Sequence, residues 1–153
     1  MNVEVSPAVP ADIDELVPHV RQADIDEFLA CSGQSPREVI EDGLKHSRVA
    51  WTGRIDGEVV CIFGVVGYSL LSNRGAPWLV GSDRMEGGSK AFLRRCRKYA
   101  IKMLREYPEL ANYVDARNAT AIRWLKWLGF EFDEPEPYGV AGLPFHRFSM
   151  RVG

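Results

Sequence analysis

At 153 residues, with 46% apolar and 26% charged side chains, the chain has the length and composition of one compact domain that buries its own core, and two domains are not expected. A net charge of -2 excludes a global field drawing the protein to nucleic acid or to an anionic membrane, so any basic surface must be local. No apolar run approaches membrane-spanning length, and Met1 to Pro10 lacks a basic segment followed by an apolar one, which predicts a soluble, intracellular protein. Cys31, Cys61 and Cys96 are an odd set without C-x-x-C spacing and are expected as buried, reduced thiols.

Asn2 to Ala8 alternates apolar and polar residues and reads as a strand. Pro10-Ala11-Asp12 then opens a helix with Ile13, Leu16, Val17 and Val20 at helical spacing. A second helix is expected from about Ala23 to Ala30, ending near Gly33. A third starts at Ser35, an N-cap followed by Pro36 at the first helical position, with Val39, Ile40 and Leu44 as its apolar stripe. Val49 to Ile55 and Glu58 to Tyr68 flank Asp56-Gly57, a pair suited to the positive φ angles of a type I′ hairpin turn. The second arm is apolar on both faces from Val59 to Val66, which predicts a central strand covered from both sides. Ser72 to Gly75 reads as a turn into a short strand from Trp78 to Val80, with Pro77 at its start, where a missing N–H is tolerated.

From Lys90 to Tyr107, Phe92, Leu93, Cys96, Ala100, Met103, Leu104 and Tyr107 recur at helical spacing, and Lys90, Arg94, Arg95, Arg97, Lys98, Lys102 and Arg105 fill much of the remainder. That is a long amphipathic helix stopped by Pro108. Leu110 to Asp115 reads as a strand, Asn118 as a cap, and Thr120 to Leu128 as a helix closed by Gly129. Phe130 to Phe132 and Phe145 to Val152 are expected to pair as strands around the loop Asp133 to Pro144. His19 and His46 have no partners at metal-ligand spacing, so no metal site is expected.

Two segments carry chemistry. Arg84-Met85-Glu86-Gly87-Gly88-Ser89 lies between a strand end and a helix start, where backbone N–H groups and the helix dipole favour an anion and small residues let it approach. The second runs from Asn118 through Ala121, Ile122 and Leu125 to Gly129-Phe130. The first resembles the R/Q-x-x-G-x-G/A segment of the GNAT (acyl-CoA N-acyltransferase) superfamily, with Ser89 an inexact last match. The second resembles that superfamily's N-x-x-A-I-x-x-Y-x-x-x-G-F signature, with only the tyrosine missing. Within the superfamily, Trp78 to Asp83, the arginine-rich helix, and Asn112 to Asn118 with Ile122 to Lys126 are similar to small bacteriophage proteins related to an internal virion or tail-assembly protein of short-tailed phages. That likeness covers about Pro77 to Phe130.

The resemblance implies an α/β GNAT fold over Val49 to Val152, with a central mixed, mostly antiparallel sheet flanked by helices, in one GNAT-like domain over residues 1–153. It implies acetyl-CoA as co-substrate and an amine as acceptor. Arg84, Gly87, Gly88 and Ser89 would hold the pyrophosphate, Leu79 and Val80 would offer backbone hydrogen bonds to the pantetheine, and Asn118 would lie beside that arm. The tyrosine that acts as general acid in many members is replaced by Leu125, which can neither donate nor relay a proton, and Glu86 would oppose a pyrophosphate nearby. Candidate bases are Asp83 and Asp115, at or near the ends of two strands that the family splays apart, and His146. Each also has a plain structural role open to it, as a solvated carboxylate or a core histidine. The basic helix face reads as solvated, as a contact for the adenosine phosphate, or as a surface for an acidic partner, and nucleic acid has little support. Two readings stay open: an acetyl-CoA-dependent N-acetyltransferase of the host cytoplasm, and a non-catalytic, virion-associated assembly protein that binds phage structural proteins.

Overall fold

Eight strands form one sheet in the order β1-β2-β3-β4-β5-β8-β6, with β7 paired to β8 off that path. In the computed structural model, which describes residues 2–152 without the side chains of residues 86–89 and of Ala91, the elements run as follows. Strand β1 (Val3–Pro7) is followed by helices α1 (Ala11–Leu16), α2 (Gln22–Cys31) and α3 (Pro36–His46). Strands β2 (Ser47–Ile55), β3 (Glu58–Gly67) and β4 (Arg74–Gly81) lead through a 3-10 turn (Asp83–Gly88) into helix α4 (Ser89–Glu106). Strand β5 (Glu109–Asp115), helix α5 (Ala119–Leu128) and strands β6 (Glu131–Phe132), β7 (Glu136–Tyr138) and β8 (Leu143–Arg151) complete the chain.

The local signals act as expected. Asp56 and Gly57 both take positive φ, at 50° and 83°, and close the β2–β3 hairpin. Ser35 and Glu38 exchange reciprocal hydrogen bonds in a capping box at the start of α3. Gly129 ends α5 in the left-handed region. Strand β3 is covered from both sides: Val59 and Ile62 pack with α1, α2 and α3, whereas Val60, Cys61, Phe63 and Val65 pack with Phe92 and Met103 of α4. The two helix layers therefore lie on opposite faces of the sheet. Among the described residues no helix is long and apolar enough to cross a membrane.

Gly64 marks how closely β2 and β3 approach. A Cβ added there would meet the Val49 carbonyl oxygen at 2.7 Å and the Ala50 Cβ at 2.9 Å. Gly64→Ala is expected to destabilise the fold by about 1–3 kcal/mol, read as a lower urea midpoint. An unchanged midpoint would mean that the hairpin yields freely.

Three details depart from the sequence reading. Arg74 and Gly75 belong to β4, where they pair with Gly67 and β5 rather than forming a turn. Pro77 falls in mid-strand, opposite Val65, instead of at the strand's start. The loop after β6 holds β7, which adds three pairs to β8. Of the thiols, Cys61 is fully buried while Cys31 and Cys96 are partly exposed. Burial raises all three, Cys96 to about 12, so they stay protonated at neutral pH.

Candidate active site

Strands β4 and β5 are parallel neighbours only at Arg74–Glu109 and Gly75–Leu110. Beyond these pairs they diverge, and the reason lies in the residues on the facing edges. In the β3–β4 ladder Ser82 N–H donates to Val60 O, so by alternation Ile62–Val80 is a hydrogen-bonded pair and residues 77, 79 and 81 turn their backbone groups toward β5. Proline has no N–H to give there. The Pro77 carbonyl instead accepts from Asn112 Nδ2 at 2.8 Å, a side chain standing in for the missing ladder. Pro77 thus helps to end the β4–β5 ladder, and it leaves the β3–β4 ladder intact because its missing N–H lies on the other edge.

The far end of the gap is held by α2. Its i, i+3 spacing aims Asp24 and Glu27 at the two strand ends: Asp24 Oδ2 accepts from Gly81 N–H and Glu27 Oε1 from Asp115 N–H, each at 3.0 Å. Arg21 bonds Asp24 Oδ1 and Asn118 Oδ1 at 3.2 Å, and Asn118 Nδ2 donates to Asp24 and Glu27 at the same distance. Arg21, Asp24 and Asn118 are only 3%, 4% and 2% exposed. With Asp24 buried and Glu27 partly buried near a single buried guanidinium, the charge is imperfectly compensated. Burial, reinforced by the neighbouring Asp24 and Asp115 and opposed by the hydrogen bonds from Asp115 N–H and Asn118, pushes the Glu27 carboxyl up to about 7. Asp24 is also raised, by burial above all, against the pull of Arg21.

A cavity of about 350 Å³ runs through this gap. Phe28, Val39 and Trp78 line it on the α1–α3 side, while Leu79, Met85, Leu93 and Tyr99 line it on the α4 side, so it joins both faces of the sheet. Glu27 lies on its wall. Leu79 turns its N–H and C=O into the gap, and no described residue bonds them across it. An extended chain with alternating amide groups would find a donor and an acceptor there.

The candidate residues named from sequence separate in space. Leu79 stands in the cleft with free backbone groups. Val80 does not share that role: its backbone is used by Ile62 and its side chain is buried with α1–α3. Asn118 caps α5 through Ala121 N–H and is otherwise held by Arg21, Asp24 and Glu27, so its amide is already engaged by the protein. Arg84 pairs with Glu58, and its N–H bonds Ser82 Oγ at 3.0 Å. The backbone of Gly87, Gly88 and Ser89 leads from the 3-10 turn into α4, and the side chains of Glu86 to Ser89 lie outside the described ones.

None of the three candidate bases lines the cavity. Asp115 is clamped by Arg117 at 2.7–3.2 Å, and although burial works to raise its carboxyl, the hydrogen bonds and charge of Arg117 hold it below the usual value. A carboxylate so stabilised is a poor proton acceptor. Asp83 is exposed in the 3-10 turn. His146 points its Nδ1 at the Asp133 carbonyl, 2.9 Å away, with its ring against Phe132. Glu27 is the group that sequence reasoning missed. Its only sequence signal is an acid three residues after Asp24 on a short helix, a pattern that usually marks a solvated face.

With this geometry in hand, residues 58–136 match the model of a family described as "Bacteriophage T7, probable scaffold protein Gp13", just over half of the chain. Among solved structures, smu.2055 from Streptococcus mutans is similar at TM-score 0.73 and 12% identity, covering 98% of this chain and 99% of its own. An acetyltransferase of the GNAT family from Streptococcus pneumoniae gives 0.67 and 14%, covering 99% and 100%. Spermidine N-acetyltransferase from Vibrio cholerae, solved with CoA and spermine, gives 0.68 and 11%, covering 97% and 95%. No curated protein matches the sequence. The fold is that of the GNAT acetyltransferases.

Proposed function

We propose, for a chain that belongs to the family of the probable scaffold protein Gp13 of bacteriophage T7, that it is an acetyl-CoA-dependent N-acetyltransferase, one GNAT-like domain over residues 1–153, with Glu27 as general base. The observation that carries this reading is the cavity through the sheet with Glu27 on its wall, titrating near neutrality. The acyl-CoA supplies an activated thioester. Leu79 N–H and C=O bind the amides of its pantetheine arm, and the apolar lining keeps water from the thioester. Glu27 takes the proton of the acceptor amine as the nitrogen attacks the thioester carbonyl. The C–S bond then breaks and the departing thiolate takes a proton from water, since Leu125, on the cavity wall, has none to give. Orientation in the cleft supplies much of the acceleration. With no tyrosine at that position, the rate is expected to rise with the acidity of the leaving thiol.

Release of CoA thiol in the presence of simple amines and basic peptides tests transfer. Release that requires both chain and amine is expected. Binding of acetyl-CoA with no release at any pH would remove the chemistry and leave the second reading, a virion or tail assembly protein on a GNAT scaffold. That reading is favoured by the family's description and by the engagement of Asn118 and Arg84 with the protein itself.

A further inference from the structure

Charge is segregated between the two faces of the sheet. Helix α4 carries seven cations against one acid, Glu106, and α5 adds Arg123 and Lys126 with no acid. On the opposite face, α1, α2 and α3 expose six acids, among them Asp26, Glu41 and Asp42, against Arg37 and Lys45. A chain with a net charge of -2 is therefore strongly basic on one side and acidic on the other. The sheet lies between them, so within one molecule the two faces do not neutralise each other.

The basic side has the form of a docking surface. Arg95, Lys98, Lys102 and Arg105 line a shallow groove of about 310 Å³ with Tyr99 and Ile101. None of these four cations forms an ion pair with a described residue, and Ile101 beside them is half exposed (50%). The acidic side has a counterpart in Leu29 of α2, 52% exposed beside Asp26. Each face thus sets an exposed apolar residue among charges of one sign, and complementary potential is what steers two such surfaces together.

We propose that the α4 face of one copy docks on the α1–α3 face of a second copy. This inference is independent of acyl transfer. Because the two surfaces differ, the contact is heterologous: it leaves a free basic face at one end and a free acidic face at the other, so it propagates into a chain or closes into a ring rather than stopping at a twofold dimer. An 18-residue helix is about 27 Å long and, with side chains, roughly 10 Å wide. Even with α5 alongside, that footprint falls at the low end for specific interfaces. The association is accordingly weak, dependent on concentration, and lost when salt shortens the reach of the charges.

Sedimentation velocity over a range of concentrations, at low and high salt, tests this with two charge-reversed variants, Glu41→Lys/Asp42→Lys on α3 and Lys98→Glu/Lys102→Glu on α4. Wild type is expected to self-associate at low salt and dissociate at high salt. Each variant alone is expected to remain a monomer, and mixing the two restores complexes, because each supplies the face that the other lacks. Restoration also establishes that both variants are folded. A wild type that stays monomeric at low salt, or an association that survives both reversals, would overturn the proposal. So would a monomeric wild type whose α4 cations are needed only for binding duplex DNA.

Discussion

Glu27→Gln is expected to lower kcat/KM for acetyl transfer by about 10²- to 10⁴-fold while leaving acetyl-CoA binding unchanged. Glutamine keeps an oxygen for Asp115 N–H and Asn118 Nδ2, the two donors that Glu27 Oε1 now serves, but it cannot take a proton. The wild-type rate is expected to rise as Glu27 ionises near pH 7, and the variant loses that limb of the profile. The same substitution reports on stability with a definite sign. The Glu27 carboxyl titrates at 4.5 when unperturbed and at about 7 when folded, so the folded state holds the extra proton between these values. The stability tied to that proton is fully present below pH 4.5 and is lost as the pH rises through 7. Glu27→Gln removes the loss and is expected to stabilise the fold by about 1–3 kcal/mol at pH 8, with little effect at pH 4.5. Urea unfolding at the two pH values checks this. A variant that is less stable at pH 8 would mean that the ionised carboxylate is well compensated by its neighbours, and that Glu27 is not poised as a base.

Arg21→Met should act in the opposite sense. The guanidinium bonds Asp24 and Asn118 and packs over the Trp124 ring, 5.1 Å from its centroid. Methionine preserves part of the packing and none of the charge. Two carboxylates would then remain at the strand ends without their buried cation, at an expected cost of about 3–5 kcal/mol above neutral pH. The cost shrinks at acidic pH, because Asp24 and Glu27, already raised, take up protons more readily still. Thermal unfolding across the pH range separates this from simple loss of packing. A packing defect would cost the same at pH 5 and pH 8.

The parts of the fold that were legible in the sequence are those fixed by local chemistry. Asp56-Gly57 and Gly129 specify positive φ angles that few other residues adopt, Ser35-Pro36 specifies a helix start through its cap and a first-turn proline, and the apolar stripe of α4 states which face is inward. The order of these elements, with the two motifs, was enough for the GNAT fold. Pro77 was legible as a residue without a donor but not as a cause of the splay, since that depends on which ladder its carbonyl faces. The candidate site was less legible. Asn118 was found from its motif, yet its engagement depends on Arg21, Asp24 and Glu27, which are 97, 94 and 91 residues away in sequence. Asp115 and Asp83 were suggested by their place at strand ends, but the sequence does not state that Arg117 folds back onto the first and that solvent takes the second. The Glu27 carboxyl is raised first by burial and then by the neighbouring Asp24 and Asp115, properties of tertiary packing that no spacing encodes.

Isothermal titration with acetyl-CoA tests the account most directly, because every proposed step begins with a pantetheine arm in the cleft between β4 and β5. Saturable heat at a single site is expected, abolished when Leu79→Pro removes an N–H that faces the gap with no partner among the described residues, in a variant that retains its thermal transition. Absence of heat with acetyl-CoA in large excess, from a chain that unfolds cooperatively, would contradict it.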